Sequence, residues 1–493
     1  MAVLAIDIGT SSTRCAVYDR RGVRRVETTA QIAYPLQTSP DGRAELRPAD
    51  IQRAVLKTVS AALKKWRGGP IAAVGVSCFW HSLLALDEKG APLSAVFTWA
   101  DSRCHPEAER LRARGGERRL HARTGCMARA SFWPAKLLWL RRAQPSLFKK
   151  TARWVSPGEW IMEKWCGRAH VSLSMASGTG LLDGRKLAWD TPLLRRCGLS
   201  ARKLNPLSEA PLPTHPRLAA KFPSLRDARW YPALGDGAAS NLGSGALRPG
   251  VAAINFGTSG ALRVGVRAGK GAQGPLAPLG LFAYRIDADY RLLGGAISNA
   301  GNLRAWALRV LRLPDAAALE REAARRLGPA PGLEMLPFLA GERAPTWPDG
   351  IPAAFFGMTQ ATTALDLLHA LEEASYLRLA RIAELVEKTA GRRLSYIVSG
   401  GLLHSPAALQ QLADVLGRPV HPSLEPEASL RGAALYALQN SGLLQKNLRP
   451  LHGPAVRPRP QAARAYAAAR EKQASLEAEL GRWKTLGGSV QVR

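Results

Sequence analysis

Apolar and β-branched residues run from Val3 to Ile8, broken only by Asp7. They stop at Gly9-Thr10-Ser11-Ser12-Thr13 and resume at Cys15-Ala16-Val17-Tyr18, which predicts strand, turn, strand. An amphipathic helix follows, with apolar residues at Ile51, Val55, Val59, Ala62 and Leu63, and then a second strand from Ala72 to Ser77. Farther along, Leu365, Leu368, Leu371, Ser375, Leu379, Ile382 and Val386 recur at steps of three and four, the spacing of one face of a long helix. After it come a β run from Leu394 to Val398, the pair Gly400-Gly401, and a helix from about Pro406 to Leu416. Lys270 to Gly280 reads as a loop and the Pro- and Arg-rich stretch from Leu448 to Pro460 as a linker. The Ala/Glu/Lys-rich segment after Pro460 reads as a helix that either docks or stays free.

The pattern repeats. Ala5-Ile6-Asp7-Ile8-Gly9-Thr10-Ser11 returns 248 residues later as Ala253-Ile254-Asn255-Phe256-Gly257-Thr258-Ser259, identical at five of seven positions. Half the chain separates the copies, so each half opens with the same strand-turn-strand element. A length of 493 residues alone allows roughly two to four domains. The repeat favours two, residues 1–247 and 248–440, followed by a linker and C-terminal helix over 441–493.

Composition excludes several classes. With 46% hydrophobic residues the chain can bury a large core, so disorder is not expected. No run approaches the ~18 uninterrupted apolar residues of a membrane span, and Asp7 comes too early for a signal peptide. A cytoplasmic protein with no membrane partner is expected. The six cysteines form no CxxC pair and the nine histidines no HExxH, so neither zinc nor a disulfide framework is signalled. The net charge of +31 invites acidic partners, and between Asp101 and Val155 there are 14 Lys or Arg against 4 acids. Among them, Arg110, Arg112, Arg114, Arg118, Arg119, Arg141, Arg142, Lys149 and Lys150 fall largely on solvated helix faces. The nearby aromatics Phe132, Trp133 and Trp139 lie among Leu137, Leu138 and Leu140 as core, not interleaved with the charges, so no dedicated nucleic-acid partner is expected.

Candidate chemistry lies in the turns. Gly265 to Gly271 has the wrong spacing for a Walker loop, and Gly235-Asp236-Gly237 lacks the third glycine of a dinucleotide fingerprint. Gly9-Thr10-Ser11-Ser12-Thr13 can instead offer backbone N–H groups and hydroxyls to an anion, with Asp7 beside it able to hold a hydrated Mg²⁺. An ordinary hairpin turn is the alternative for that segment taken alone. Gly257-Thr258-Ser259-Gly260 repeats the turn in the second half. Gly235-Asp236-Gly237 puts a carboxylate between glycines that permit close approach, and Ser399-Gly400-Gly401 offers a flat surface for a nucleotide.

Taken in order with Trp99-Ala100-Asp101-Ser102-Arg103, Gly341-Glu342-Arg343-Ala344-Pro345, Gln411-Leu412-Ala413-Asp414 and Glu427 through Ala434, these motifs resemble the FGGY carbohydrate kinases from about Val3 to Leu438. The resemblance implies an α/β fold of two actin-like, RNase H-like domains with ATP and sugar in the cleft between them. It also implies roles. Asp7 would help bind Mg²⁺, while Gly9, Thr10, Ser11, Ser12 and Thr13 face the phosphates of ATP from one wall and Gly257, Thr258 and Ser259 from the other. Gly400 and Gly401 would pack on the adenosine, Asp236 would be the catalytic base, and Trp80, His81, Asp101 and Arg103 would line the sugar site with Asp236. His81 as a core histidine and Arg103 as a solvated charge are the plainer alternatives. The His81-Ser82-Leu83 order, the Trp-Ala-Asp-x-Arg form and Gly257 through Arg263 look most similar to the gluconokinases of the family, with a pentulose kinase as the alternative and a catalytically silent basic binding protein or a sugar-independent ATPase behind it. The expected partners are ATP and a sugar or sugar acid, with a homodimer as one option.

Overall fold

The protein is described here by a computed structural model covering residues 1–268, 276–326, 328–348, 350–445 and 451–485. Part of the expected 270–280 loop and of the 448–460 linker lies outside the described residues.

The first half builds β1 (Ala2–Ile8), β2 (Ser12–Tyr18) and β3 (Ala30–Ala33), then helix α1 (Pro48–Lys65), then β4 (Ile71–Cys78). Every residue of β1 is buried, because helices cover both faces of the sheet. β1 runs antiparallel to β2 and parallel to β4, which pairs with the short strands β5 (Arg229–Trp230) and β6 (Leu234–Gly235). Helix α2 (Trp133–Ala143) lies in a helical lobe, where Trp133, Leu137 and Leu140 are buried and Arg141 and Arg142 exposed, as their pattern predicts. Helix α3 (Asp236–Ser244) leaves β6 directly.

The second half repeats the plan. β7 (Val251–Phe256) pairs antiparallel with β8 (Gly260–Arg267), which pairs with β10 (Tyr290–Ile297); β9 (Phe282–Arg285) is the edge. Helix α4 (Gly301–Val310) precedes the long crossover helix α5 (Ala364–Ala390), closed at its start by a Thr363/Asp366 capping box and at its end by Gly391 with φ 66°. β11 (Ser395–Gly400), α6 (Pro406–Leu416) and β12 (Val420–Pro422) follow, with β11 parallel to both β7 and β12. The first sheet carries its strands in the order β3, β2, β1, β4, β5 and the second in the order β9, β10, β8, β7, β11, β12, so both place an antiparallel hairpin beside parallel strands, two copies of one α/β plan. The copies differ at the turn. Ile8 pairs with Thr13 but Phe256 with Gly260, so the second hairpin is one residue shorter and the sequence offset slips by one beyond it.

Two contacts join the domains. Helix α7 (Ala428–Asn440) lies against α3 and β4 so closely that a Cβ on Gly432 would fall 1.8 Å from the Ala239 carbonyl oxygen and one on Gly75 1.9 Å from that of Ala433. On the other side of the cleft, Phe282, Tyr284 and Ile286 pack into the core of the first domain. There the Ala283 amide donates to the Gly125 carbonyl (2.9 Å) and the Arg285 amide to Ser177 Oγ (2.8 Å).

The C-terminal helix α8 (Pro460–Thr485) docks on the second domain. Its Tyr466 hydroxyl donates to the Gly328 carbonyl at 2.7 Å, and Gln473 Nε2 donates to the carbonyls of Met335 (3.0 Å) and Ala374 (3.2 Å). The described end of the expected linker is also ordered by pairing, since Val420 and Val456 exchange both backbone hydrogen bonds.

Candidate active site

A cavity of about 340 Å³ opens between the domains, with Asp236 in its wall. Asp236 is the first residue of α3, its Oδ1 accepts from the Gly237 amide at 2.8 Å, and the Trp80 backbone N–H also donates to the carboxylate. Burial pushes its pKa up, and Arg263 pulls the other way. The glycines on either side serve Trp80. A Cβ on Gly235 would lie 1.8 Å from the indole and one on Gly237 2.5 Å from it, so the ring lies flat against the backbone that carries the acid. Trp80 Nε1 donates to the Ser174 carbonyl at 3.1 Å, which fixes the ring.

His81 follows in a left-handed conformation (φ 64°), uncommon for a residue with a side chain. Its Nδ1 lies 2.5 Å from the Gly178 carbonyl, and a carbonyl can only accept, so Nδ1 carries the proton. Burial drives the pKa down to about 3. The ring is therefore neutral, with Nε2 left as an acceptor for a hydroxyl. The opposite wall belongs to the second domain. Phe282 and Tyr284 stack at 4.5 Å, Tyr284 meets Trp80 at 4.7 Å, and Arg263 and Arg343 complete the wall.

The two turns flank this cavity, with Thr10 on one side and Ser259 on the other. In the first, the Gly9 amide donates to the Ser12 carbonyl (2.9 Å), the Tyr34 hydroxyl to the Gly9 carbonyl (2.6 Å) and Trp99 Nε1 to Thr10 Oγ1 (3.2 Å). Ser11 is exposed, whereas Ser12 is buried and accepts from Gln31. Thr13 is buried too, its hydroxyl 3.3 Å from that of Tyr34, so it supports the turn from behind. Asp7 sits at the end of β1 with Oδ1 buried and unpartnered. Burial lifts its carboxyl to about 6, with Ser77 and Arg14 opposing and Asp236 reinforcing.

The second turn closes the same way, Gly257 N–H to Ser259 carbonyl at 3.0 Å, and is tied to α4 by the Gly301 amide, which donates to the Gly257 carbonyl at 2.9 Å. Behind it lies a larger cavity of about 890 Å³, lined by Thr258, Trp306, Tyr376, Gly401 and His404 among others. Gly400 has φ 93°, and a Cβ there would lie 2.4 Å from the Phe256 carbonyl oxygen. Only glycine fits both limits. Gly400→Ala is expected to displace the floor of this cavity and raise KM for ATP about tenfold while leaving the KM of the phosphoryl acceptor within twofold, a split that steady-state kinetics reads directly.

Asp101 and Arg103 do not line the smaller cavity. Arg103 Nη2 donates to Asp101 Oδ2 at 2.5 Å and also to Glu45, and its guanidinium stacks on Trp139, 4.6 Å from the ring centre. Asp101 Oδ2 also accepts from the Ala44 amide at 3.2 Å. Both are engaged in holding the lobe behind the smaller cavity.

The FGGY carbohydrate kinase model for the N-terminal domain matches residues 2–220 and that for the C-terminal domain residues 252–440. The chain belongs to the FGGY family of carbohydrate kinases. This makes it a phosphotransferase acting on an alcohol group, with ATP as the phosphoryl donor used in the family. It is 28% identical over 461 residues to the gluconokinase of Bacillus licheniformis, covering 89% of this chain and 88% of that one. It is 27% identical over 456 residues to the xylulose kinase of Bacillus subtilis, again covering 89% and 88%. The crystal structure of gluconate kinase from Lactobacillus acidophilus superposes with a TM-score of 0.90 at 26% identity, covering 97% of this kinase and 98% of that chain.

The sequence motifs do not single out Arg263, Arg343, Phe282 or Tyr284, which line the smaller cavity of this kinase. Arg263 and Arg343 sit inside motifs that were recognised, one in a strand and one after a glycine turn, but nothing in either motif says which way a guanidinium points. Phe282 and Tyr284 lie on the edge strand, whose role in closing the other domain's cavity is a property of tertiary packing alone.

Proposed function

We propose that this kinase transfers the γ-phosphoryl group of ATP to a hydroxyl of a sugar acid, D-gluconate, with Asp236 as the base. The observation that carries the reading is the placement of Asp236 in a cavity whose rim holds one turn from each domain, Thr10 and Ser259. Phosphoryl transfer needs positioning, neutralisation of the phosphate oxygens and a proton acceptor near the attacking hydroxyl. The substrate oxygen forms the new bond to phosphorus, the bond from phosphorus to the β-phosphate bridging oxygen breaks, and the hydroxyl proton passes to Asp236 Oδ2. Neutral His81 accepts a hydrogen bond from a second hydroxyl, and the Trp80 and Tyr284 rings pack against the carbon chain. Closure of the domains around this arrangement excludes water as a competing acceptor.

Asp7 would hold Mg²⁺. Its buried, unpartnered Oδ1 next to the first turn fits a hydrated divalent ion, which would supply charge neutralisation for the phosphates there. A reducing compartment such as the cytoplasm agrees with six buried and unpaired cysteines, and no helix among the described residues is long and apolar enough to cross a membrane.

Relatives named gluconokinase and xylulose kinase stand at similar identity, so the acid is favoured by charge. Two arginines face a cavity in which a neutral pentulose needs none. A coupled assay of ADP release across D-gluconate, D-xylulose, D-ribulose and glycerol should give gluconate the highest kcat/KM. A higher value for xylulose overturns the choice of acid, and ADP release independent of any polyol overturns the kinase mechanism.

A further inference from the structure

Arg263 stands out among the charged groups of the cavity. It lies on β8 with its Nε buried and without a hydrogen-bond partner, and it forms no ion pair among the described residues. Two other arginines packed into the second domain each have a carboxylate partner, although the Arg378 Nε is likewise left without one. Arg378 pairs with Glu477 and Arg418 with Glu387. The fold itself does not ask for a charge at this point. Arg263 pairs with Ala253 in the ladder just as Ala16 pairs with Ala5 in the first domain, and Ala16 is fully buried core. A guanidinium thus replaces a methyl group at the equivalent site, and it points into the cavity instead of into the sheet packing.

Its neighbour is a second guanidinium. Arg343 lines the same cavity, held by donation from Nε to Ser298 Oγ (3.2 Å) and from Nη2 to the Ile297 carbonyl (2.8 Å), so Nη1 remains for a ligand. Burial lowers the pKa of both guanidiniums, and Arg263 adds to the effect on Arg343. Two cations that repel each other at a cavity wall, one of them without a salt bridge and offset by the nearby Asp236 carboxylate, are complementary to a bound anion. The phosphates of ATP have their own cradle in the turns around Thr10 and Thr258. The aromatic and histidine lining beside the arginines suits a polyol chain instead.

We infer that Arg263, with Arg343 beside it, forms a carboxylate subsite that makes this kinase select an aldonic acid over the neutral sugar of the same length. The inference rests on the sugar-acid reading above and adds the residue that enforces it. Arg263 supplies a planar donor fork for the carboxylate, and the Arg343 Nη1 supplies a second donor. Without the anion, the buried Arg263 Nε stays unsatisfied, so a neutral ligand loses twice, by lacking the ion pair and by leaving the guanidinium dry.

The test compares D-gluconate with D-gluconamide, which has the same shape without the charge, in the wild type, Arg263→Met and Arg263→Lys. The wild type should prefer gluconate by roughly 50-fold in kcat/KM, the size expected when a charged hydrogen-bonding site meets a ligand lacking its partner. Arg263→Met should reduce that preference to within about threefold through KM for gluconate, and Arg263→Lys should restore part of it. Equilibrium binding of gluconate without ATP should weaken in parallel, which keeps the result readable if turnover by Arg263→Met is slow. A wild type that treats the two acceptors alike overturns the subsite. So does an Arg263→Met enzyme that keeps the full preference while kcat falls equally for both, since that would assign the arginine to the transferring phosphoryl group. Failure of the underlying reading looks different: the wild type would turn over xylulose and neither six-carbon acceptor, and the subsite would fall with it.

Discussion

Asp236→Asn is expected to lower kcat about 1,000-fold, within the range that a positioned general base contributes to proton transfer. Asparagine keeps the volume and can still accept from the Gly237 amide, so Trp80 and the start of α3 stay in place. What it cannot do is take the proton from the attacking hydroxyl. Asp236 does not line the larger cavity, where we place the nucleotide, so the Kd for ATP should change by less than about threefold. A variant that keeps kcat within tenfold of the wild type would remove Asp236 from the base role. The pH profile provides a second check. A base must be unprotonated to act, and burial raises the Asp236 pKa, so kcat/KM should fall as pH drops through a value above that of an ordinary aspartate. Asp7, lifted to about 6 and interacting with Asp236, adds its own acid limb, expressed in the KM for the metal-nucleotide complex. Substituting Asp236 should flatten its limb in kcat/KM and move the Asp7 limb to lower pH, since the Asp236 charge helps raise that pKa.

Much of this site could be read before any coordinates, and the reason is local. Gly9 through Thr13 and Gly257 through Ser259 form turns whose geometry depends on neighbours in sequence, so their residue types reveal their conformation. The Asp236 carboxylate between two glycines was visible for the same reason, and the structure puts it in the cavity wall. The domain plan followed from the repeat, because two copies of a hairpin must each seed a sheet. The parts that stayed hidden depend on distant packing. Thr13 belongs to the turn motif, yet strand alternation sends its side chain into the core against Tyr34. Asp101 and Arg103 belong to a family motif, yet they close on each other and on Glu45 behind the smaller cavity. The space beside Asp236 that the glycines create is taken by Trp80, a partner more than 150 residues away in sequence. Likewise the basic excess so conspicuous in the composition puts Arg110, Arg118, Arg119, Arg141, Arg142, Lys149 and Lys150 on exposed helix faces, while the two arginines that line the cavity with Asp236 belong to a strand and a loop of the other domain.

The C-terminal helix shows how a segment with no motif can still govern the cavity. Glu477 on α8 accepts from Arg378 Nη1 at 2.6 Å and from Arg381 and Thr346, while Arg378 Nη2 donates to the Ala344 carbonyl at 2.9 Å. Ala344 and Thr346 belong to the loop that carries Arg343 and Trp347 into the cavity wall. Arg378 is fully buried and Glu477 nearly so. Burial works against the Glu477 carboxylate, but Arg378 and Arg381 outweigh it and hold its pKa below the ordinary value. Glu477→Leu leaves the Arg378 charge buried without its counter-ion, an error that costs about 3 kcal/mol or more when one partner of a buried pair is removed. For a domain of this size that corresponds to a fall of roughly 6–12 °C in the melting transition of the C-terminal domain. The acceptor KM should rise more than that for ATP, because the loop tied down by Glu477 lines the smaller cavity and not the nucleotide cavity. Adding Arg378→Met to Glu477→Leu should recover most of the lost melting temperature, since a buried pair replaced by apolar side chains is often neutral in stability. The acceptor KM should stay raised in that double variant, because neither apolar side chain can hold the Ala344 carbonyl and the Thr346 hydroxyl. Recovery of both quantities together would mean that the pair acts on the cavity only through global stability, and recovery of neither would mean that Arg378 contributes chiefly through its packing against Phe338, 5.1 Å from the ring centre.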